Sequence, residues 1–228
     1  AGLEDSFKST FVVEGRWRLI LQGLGVTILI SVCSGIFGLG LGFGICMLRR
    51  MNCRPVQDLG GIFVRVVQGM PVVVLLMILY YGIFGSVDIS EILVAVIGFS
   101  INFAAYSSEM MRTGIETVDK GQQEAALAMG YTRSQTFFKV VFPQAAGNFI
   151  PVLKGEFISM VKMTSVAGYI AVQDLTKVSD IIRSRTMEAF FPLIVTAVIY
   201  FAVANVMTAA LSFAEREVLP KRNKRSVK

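Results

Sequence analysis

Few residues in this chain have the type or spacing to carry chemistry. Histidine is absent from all 228 residues, which removes the commonest general base and metal ligand. Cys33, Cys46 and Cys53 form no CxxC or other metal spacing and read as small apolar residues. Ser107-Ser108-Glu109 sets a nucleophile beside an acid, but it precedes Arg112 at the end of an apolar run, where packing explains it better. Gly35, Gly38, Gly40, Gly42 and Gly44 do not spell GxGxxG, because Phe43 and Ile45 occupy the third-glycine positions, and no GxxxxGK[ST] occurs anywhere. The expectation is a chain with no catalytic residue, no metal and no cofactor of its own.

The polar residues that remain are conspicuous for their surroundings. Lys154, Glu156 and Lys162 interrupt an apolar stretch between Val140 and Gln173, and Asn102 and Tyr106 lie in another. Ionisable groups at membrane depth are costly and face a cavity or a partner helix. On a helix Lys154 and Lys162 point about 80° apart, and Glu156 and Lys162 about 120° apart, so they cannot share one narrow face. Glu156, Lys162, Asn102 and Tyr106 are candidate linings of a solute pathway. Lys154 is expected near the inner surface, its stem buried and its ammonium snorkelling to water. Thr164 and Ser165, just beyond, suit helix-to-helix hydrogen bonds as well as ligand contact.

The elements that must hold these residues are membrane spans. The chain is 54% hydrophobic and 17% charged, with mean hydropathy +0.64; a soluble domain carries about 25% charged residues. Residues 19–48, 66–87, 92–108 and 189–214 are uncharged or nearly so, and each approaches the roughly 20 apolar residues that a spanning helix needs. With the semi-polar stretch 140–173 they make five expected spans. Arg49, Arg50, Arg54, Arg112, Lys120, Arg133, Lys139, Arg216 and the tail Lys221–Lys228 then fall on one side. The other side (1–18, 85–91 and 173–188) holds roughly half as many Lys and Arg, which sets the N-terminus outside and the C-terminus in the cytoplasm. Gly38/Gly42 and Gly40/Gly44 are GxxxG pairs suited to close helix approach. The net charge of +6 is scattered and lacks an aromatic-basic motif, so nucleic acid is not an expected partner. The tail is expected to meet anionic lipid heads.

The longest inner loop, Glu109–Pro143, reads as two short helices with a glycine joint. Asp119 can cap the first, with helix formers from Gln122 to Met129. Gly130 sits where a helix end takes a left-handed residue. Thr132 and Gln135 make a capping box for the second, which enters the membrane through Phe137, Phe138, Val140, Val141 and Phe142. Ala125, Ala126 and Ala128 give a smooth surface with Glu124 at its edge, a shape suited to a partner's groove.

Glu124-Ala125-Ala126-x-x-x-Gly130, followed by Phe142-Pro143-Gln144-Ala145, resembles the EAA loop of ABC importer permeases, and Gly121-Gln122 before it resembles the polar amino acid uptake family. Gln68-Gly69-Met70-Pro71 resembles that family's R-G-T-P. Asn102-Phe103-Ala104-Ala105-Tyr106 with Glu109 and Arg112 resembles its N-x-A-A-Y-x-x-E-x-x-R, and Lys162-Met163-Thr164-Ser165 its K-x-T-S. Gln68 and Met70 replace the family's Arg and Thr, and Lys154-Gly155 lies where Asn often precedes the glutamate; these departures bear on ligand preference rather than fold.

The resemblance covers roughly residues 20 to 215. It implies an all-α, five-span type I ABC importer permease (MetI-like) in the cytoplasmic membrane, working as a dimer, here expected to be a homodimer with a second copy of the permease. In that reading residues 1–18 are an outer segment, 19–215 the transmembrane domain, about 117–143 the coupling loop, and 216–228 a basic cytoplasmic tail. Gly121, Gln122, Glu124, Ala125, Ala126, Gly130 and Pro143 would serve coupling to ATPase subunits, which would bind the ATP. A binding protein, or a binding domain fused upstream, would deliver a polar amino acid from outside. The chain begins Ala1-Gly2 without an initiator Met, and so is expected to be part of a longer precursor. The alternative is a stand-alone secondary transporter or channel for small polar solutes, although inverted repeats, the usual mark of such carriers, are not evident.

Overall fold

The computed structural model describes residues 10, 13–51, 53–188 and 190–218. The basic tail Lys221–Lys228 and most of the outer segment 1–18 lie outside the described residues. Among the described residues every regular element is helical.

The fold is organised by one seam. Helix α1 (Trp17–Leu48) buries Gly23, Thr27, Ser31, Ser34, Gly38 and Gly42, a stripe of small residues recurring every three or four positions. Against it lies α4 (Glu91–Glu116), its most extensive packing partner. Small side chains let the backbones approach closely: a Cβ on Gly38 would stand 2.9 Å from the Ser100 carbonyl, and one on Gly42 would collide with the Ser107 hydroxyl. Ser34 Oγ donates to the Val96 carbonyl at 3.2 Å and Ser107 Oγ to that of Gly38 at 3.4 Å, so hydrogen bonds cross the seam. Of the two glycine pairs expected to pack, Gly38/Gly42 does so. Gly40/Gly44 faces away from the rest of this chain, with nothing within 4 Å of a Cβ at either position: two residues further round a helix is the opposite face.

Between these helices the chain makes a bend that hydropathy does not reveal. Residues 66–87, expected as one run, belong to two elements. Amphipathic α2 (Arg54–Gln68) stops at Gly69, and α3 (Val72–Met77) leaves at 105° and widens into a π-helical turn over Ile78–Ile83. Pro71 is the cause, because it lacks an N–H and pushes Met70 out of helical geometry. The stretch between the expected spans 19–48 and 66–87 is thus largely helical.

The remaining elements are α5 (Lys120–Ala128), α6 (Arg133–Thr136), α7 (Phe142–Met163), α8 (Leu175–Thr186) and α9 (Phe190–Val218). A π-helical turn, Phe137–Val141, joins α6 to α7, and a 3-10 turn, Thr164–Ile170, follows α7. Helices α1, α4 and α9 are long and apolar enough to cross a membrane, and the bent pair α2–α3 makes a fourth if counted as one span. Burial ranks the three: 67% of the most apolar window is buried in α4, 33% in α1 and 6% in α9. Thus α4 is the hub and α9 the periphery, touching α7 and α8.

Candidate functional site

The segment between α4 and α7 is built by local rules. Asp119 Oδ1 accepts from the Gly121 N–H at 2.6 Å and starts α5. At the far end the Gly130 N–H bonds the Leu127 carbonyl and the Tyr131 N–H the Ala126 carbonyl, the paired bonds of a Schellman ending. Gly130 takes φ +89°, a conformation that costs an L side chain about 1–2 kcal/mol. Thr132 Oγ1 then accepts from the Gln135 N–H at 3.2 Å while Gln135 Oε1 accepts from the Thr132 N–H at 2.9 Å, completing the capping box. These three expectations hold.

The two short helices form a hairpin that projects from the bundle. Gly121, Gln122, Glu124, Ala125, Gly130 and Pro143 are exposed, while Ala126 is turned inward and buried. Leu127 is 45% and Met129 73% exposed, so the hairpin offers apolar surface next to the Glu124 carboxylate. Its base is anchored at both ends. Asn148 Nδ2 of α7 donates to Thr117 Oγ1 at 2.8 Å. Phe142 stacks edge-on against Phe43 of α1 at 5.7 Å and touches Phe137 and Phe149, and the Arg50 guanidinium lies 5.5 Å over the Phe137 ring. The base of the hairpin is thus in ring contact with both α1 and α7.

Beside this base the ends of α1 and α4 are tied by charge. Arg49 meets Glu109 at 2.7 Å; Arg112 also bonds Glu109, and reaches Glu116 at 2.6 Å. The family-like pair Glu109 and Arg112 is thus part of a four-residue chain whose first member, Arg49, the sequence did not connect to it.

The candidate pathway residues lie on α4, on α7 and in the turn after α7, and differ in burial. Asn102 is buried in α4 and Tyr106 half-buried one turn on. In α7 Glu156 is half-buried and Lys162 exposed. Lys154 does not reach out to water as expected: its ammonium is held 2.6 Å from Glu215 Oε2 and 3.2 Å from Ser212 Oγ, both on α9. Ser165 is half-buried, whereas Thr164 is fully buried and donates to the Val161 carbonyl at 2.7 Å.

A polar node lies where only an outer loop was expected. Asp174, fully buried, caps α8 by accepting from the N–H groups of Thr176 (3.0 Å) and Lys177 (3.1 Å), and its Oδ2 accepts from the Tyr200 hydroxyl of α9 at 3.2 Å. The Leu175 N–H donates to Thr27 Oγ1 of α1 at 3.2 Å. The buried carboxylate so joins α8 to α9, and the adjacent Leu175 N–H ties the start of α8 to α1. The Asp-x-x-Lys start of a helix was a readable cap; its burial depended on residues far along the chain.

Comparison with known proteins places this architecture. A family model described as "Binding-protein-dependent transport system inner membrane component" matches residues 35–219. The chain is 31% identical over 215 residues to the probable amino-acid ABC transporter permease protein YckA of Bacillus subtilis (strain 168), covering 94% of this chain and 95% of that one. With the arginine transport system permease protein ArtQ of the same organism it shares 32% identity over 201 residues, 87% of this chain and 92% of ArtQ. A solved structure, "Crystal structure of an amino acid ABC transporter with histidines", matches with TM-score 0.83 and 31% identity over 95% of this chain and 99% of that chain. The inward-facing MetNI methionine ABC transporter matches in fold, with TM-score 0.78 at 18% identity over 91% of this chain and 99% of that one. The chain belongs to the family of binding-protein-dependent transport system inner membrane components, the permease subunits of ABC importers.

Proposed function

We propose that this permease imports a polar amino acid, driven by separate ATPase subunits that dock on the hairpin α5–α6. The observation that carries the reading is the hairpin itself: capped at both helices, turned by Gly130, and exposing Glu124, Leu127 and Met129. Glu124, with Gly121, Gln122 and Ala125, would contact the ATPase, Ala126 would seat α5, and Gly130 and Pro143 would fix the angles of entry and exit. The substrate class follows from the relatives, whose names specify amino acids in general or arginine.

Five spans complete the scheme: α1, the bent pair α2–α3, α4, α7 with its 3-10 extension, and α9. At 22 residues α7 is about 33 Å long, enough to cross despite its charges. The ends of α1 and α4 share a side with the hairpin, as their ion pairs require. The Lys and Arg concentrated there support a cytoplasmic hairpin, an outer N-terminus and an inner C-terminus. Two permease copies would form the channel, with Asn102, Tyr106, Glu156, Lys162, Thr164 and Ser165 as its polar contacts, and a binding protein, separate or fused, would present the substrate from outside. Residues 216–228 would hold the inner end against anionic lipid.

The test is ATP hydrolysis by the permease and its candidate ATPase in proteoliposomes, with binding protein and an amino acid panel. Stimulation by one chemical class of amino acid is expected, and its loss in Glu124→Lys with the permease still folded. A permease that associates with no ATPase yet moves solute would overturn the reading in favour of a stand-alone carrier.

A further inference from the structure

We infer that Lys154 and Glu215 form a charged clasp that makes α9 move together with the far half of α7. The inference needs the transport cycle for its consequence, but the clasp itself stands on geometry alone.

Helices α7 and α9 face each other with matching stripes, Ile150, Leu153 and Phe157 on one and Met207, Leu211 and Ala214 on the other. The stripes do not close on each other. A cavity of about 560 Å³ lies between them, walled further by α1. Across that gap a polar connection is made: Lys154 Nζ lies 2.6 Å from Glu215 and 3.2 Å from Ser212. Both charged side chains are mostly covered, 26% and 21% exposed. In so apolar a setting either charge alone would be costly, so each holds the other in place.

The position along α7 gives the clasp its role. Pro151 sits inside α7, three residues before Lys154, and removes the hydrogen bond to the Gly147 carbonyl. The near half of α7, from Phe142, packs its rings on Phe137 at the base of the hairpin, and its Asn148 bonds Thr117 at the end of α4, where the hairpin begins. The far half carries Lys154 and is bound to α9. Displacement of the hairpin therefore reaches α9 across a proline joint, and the ion pair is what makes α9 follow. Lys154 and Glu215 are positioning residues; neither needs to touch substrate.

The experiment uses the full permease with Cys33, Cys46 and Cys53 replaced, and spin labels at the exposed positions Val152 and Val206. Label-to-label distances are measured for the permease alone, and again in complex with its ATPase before and after trapping with ATP and vanadate. Wild type should give a narrow distance within each subunit that is unchanged by trapping. Lys154→Glu should broaden it and cut substrate moved per ATP hydrolysed by about tenfold. The exchanged pair Lys154→Glu with Glu215→Lys should restore both. If the single reversal does not fold, the exchanged pair and the neutral pair Lys154→Met with Glu215→Met decide. Recovery in the exchanged pair but not the neutral pair supports the clasp; failure of the exchange, or a narrow distance in the neutral pair, overturns it. The distance in the permease alone reports on the clasp even if no ATPase binds, so its failure is separable from failure of the proposed function.

Discussion

Gly42 of α1 faces Ser107 of α4 so closely that a Cβ at position 42 would occupy the space of the serine hydroxyl, with the Ala104 carbonyl 2.9 Å away. The neighbour cannot yield easily, because Ser107 Oγ is engaged with the Gly38 and Ala104 carbonyls. Gly42→Ala should therefore destabilise the permease by about 1–3 kcal/mol, the usual cost of overpacking. Gly40→Ala and Gly44→Ala, with open space around them, should be neutral or stabilising by up to about 1 kcal/mol through helix propensity. Thermal unfolding in detergent would check this, and equal effects at 40 and 42 would refute the close packing of this seam.

The Asp174 node predicts a graded series. Asp174→Ala removes the cap of α8 and leaves Tyr200 without its carboxylate acceptor, so a loss of about 2–4 kcal/mol is expected. Tyr200→Phe removes one hydrogen bond and should cost about 1 kcal/mol. Hydrogen exchange of α8 should rise in the first variant far more than in the second.

Arg49, Glu109 and Arg112 predict an asymmetry along the ion-pair chain. Glu109→Ala strips the acceptor from two guanidinium groups, one of them on a side chain only 17% exposed. Glu116, 55% exposed, should matter little, its ion pair being worth about 0.2–1 kcal/mol at most. Unfolding midpoints of the two alanine variants should separate clearly, and the smaller effect should vanish in high salt.

What could be read in advance divides by the range of the interaction. The hairpin was legible because Asp119, Thr132, Gln135 and Gly130 act on backbone groups no more than three residues away. Helices α1, α4 and α9 were legible because hydropathy sums over about 20 residues. The bend at Gly69–Pro71 was hidden within an uncharged run, since hydropathy counts side chains and Pro71 acts through a missing backbone N–H. Residues 173–188 read as an outer loop because Asp174, Lys177, Arg183 and Arg185 are charged, yet Asp174 is fully buried by bonds to Thr176, Lys177 and Tyr200. Lys154 was assigned to water for the same reason: its partner Glu215 stands 61 positions along the chain, and spacing within one helix cannot supply that contact.

Gly130 is the position that would separate fold from the proposed coupling most cleanly. Its φ of +89° is unfavourable for any residue with a side chain, but nothing lies within 4 Å of a Cβ there, so Gly130→Ala adds strain without a clash. The strain is about 1–2 kcal/mol, and the exposed hairpin can relieve it by letting the α5–α6 turn open while the bundle beneath stays intact. The expected outcome is an unfolding midpoint close to wild type together with weaker retention of the ATPase and lower transport per ATP. Gly130→Asn, which tolerates the left-handed region better, should recover most of the loss. If alanine lowered bundle stability as much as it lowered coupling, the turn would be part of the core rather than a lever on it; if asparagine failed to recover function, the space around Gly130, not its backbone angle, would be what the ATPase requires.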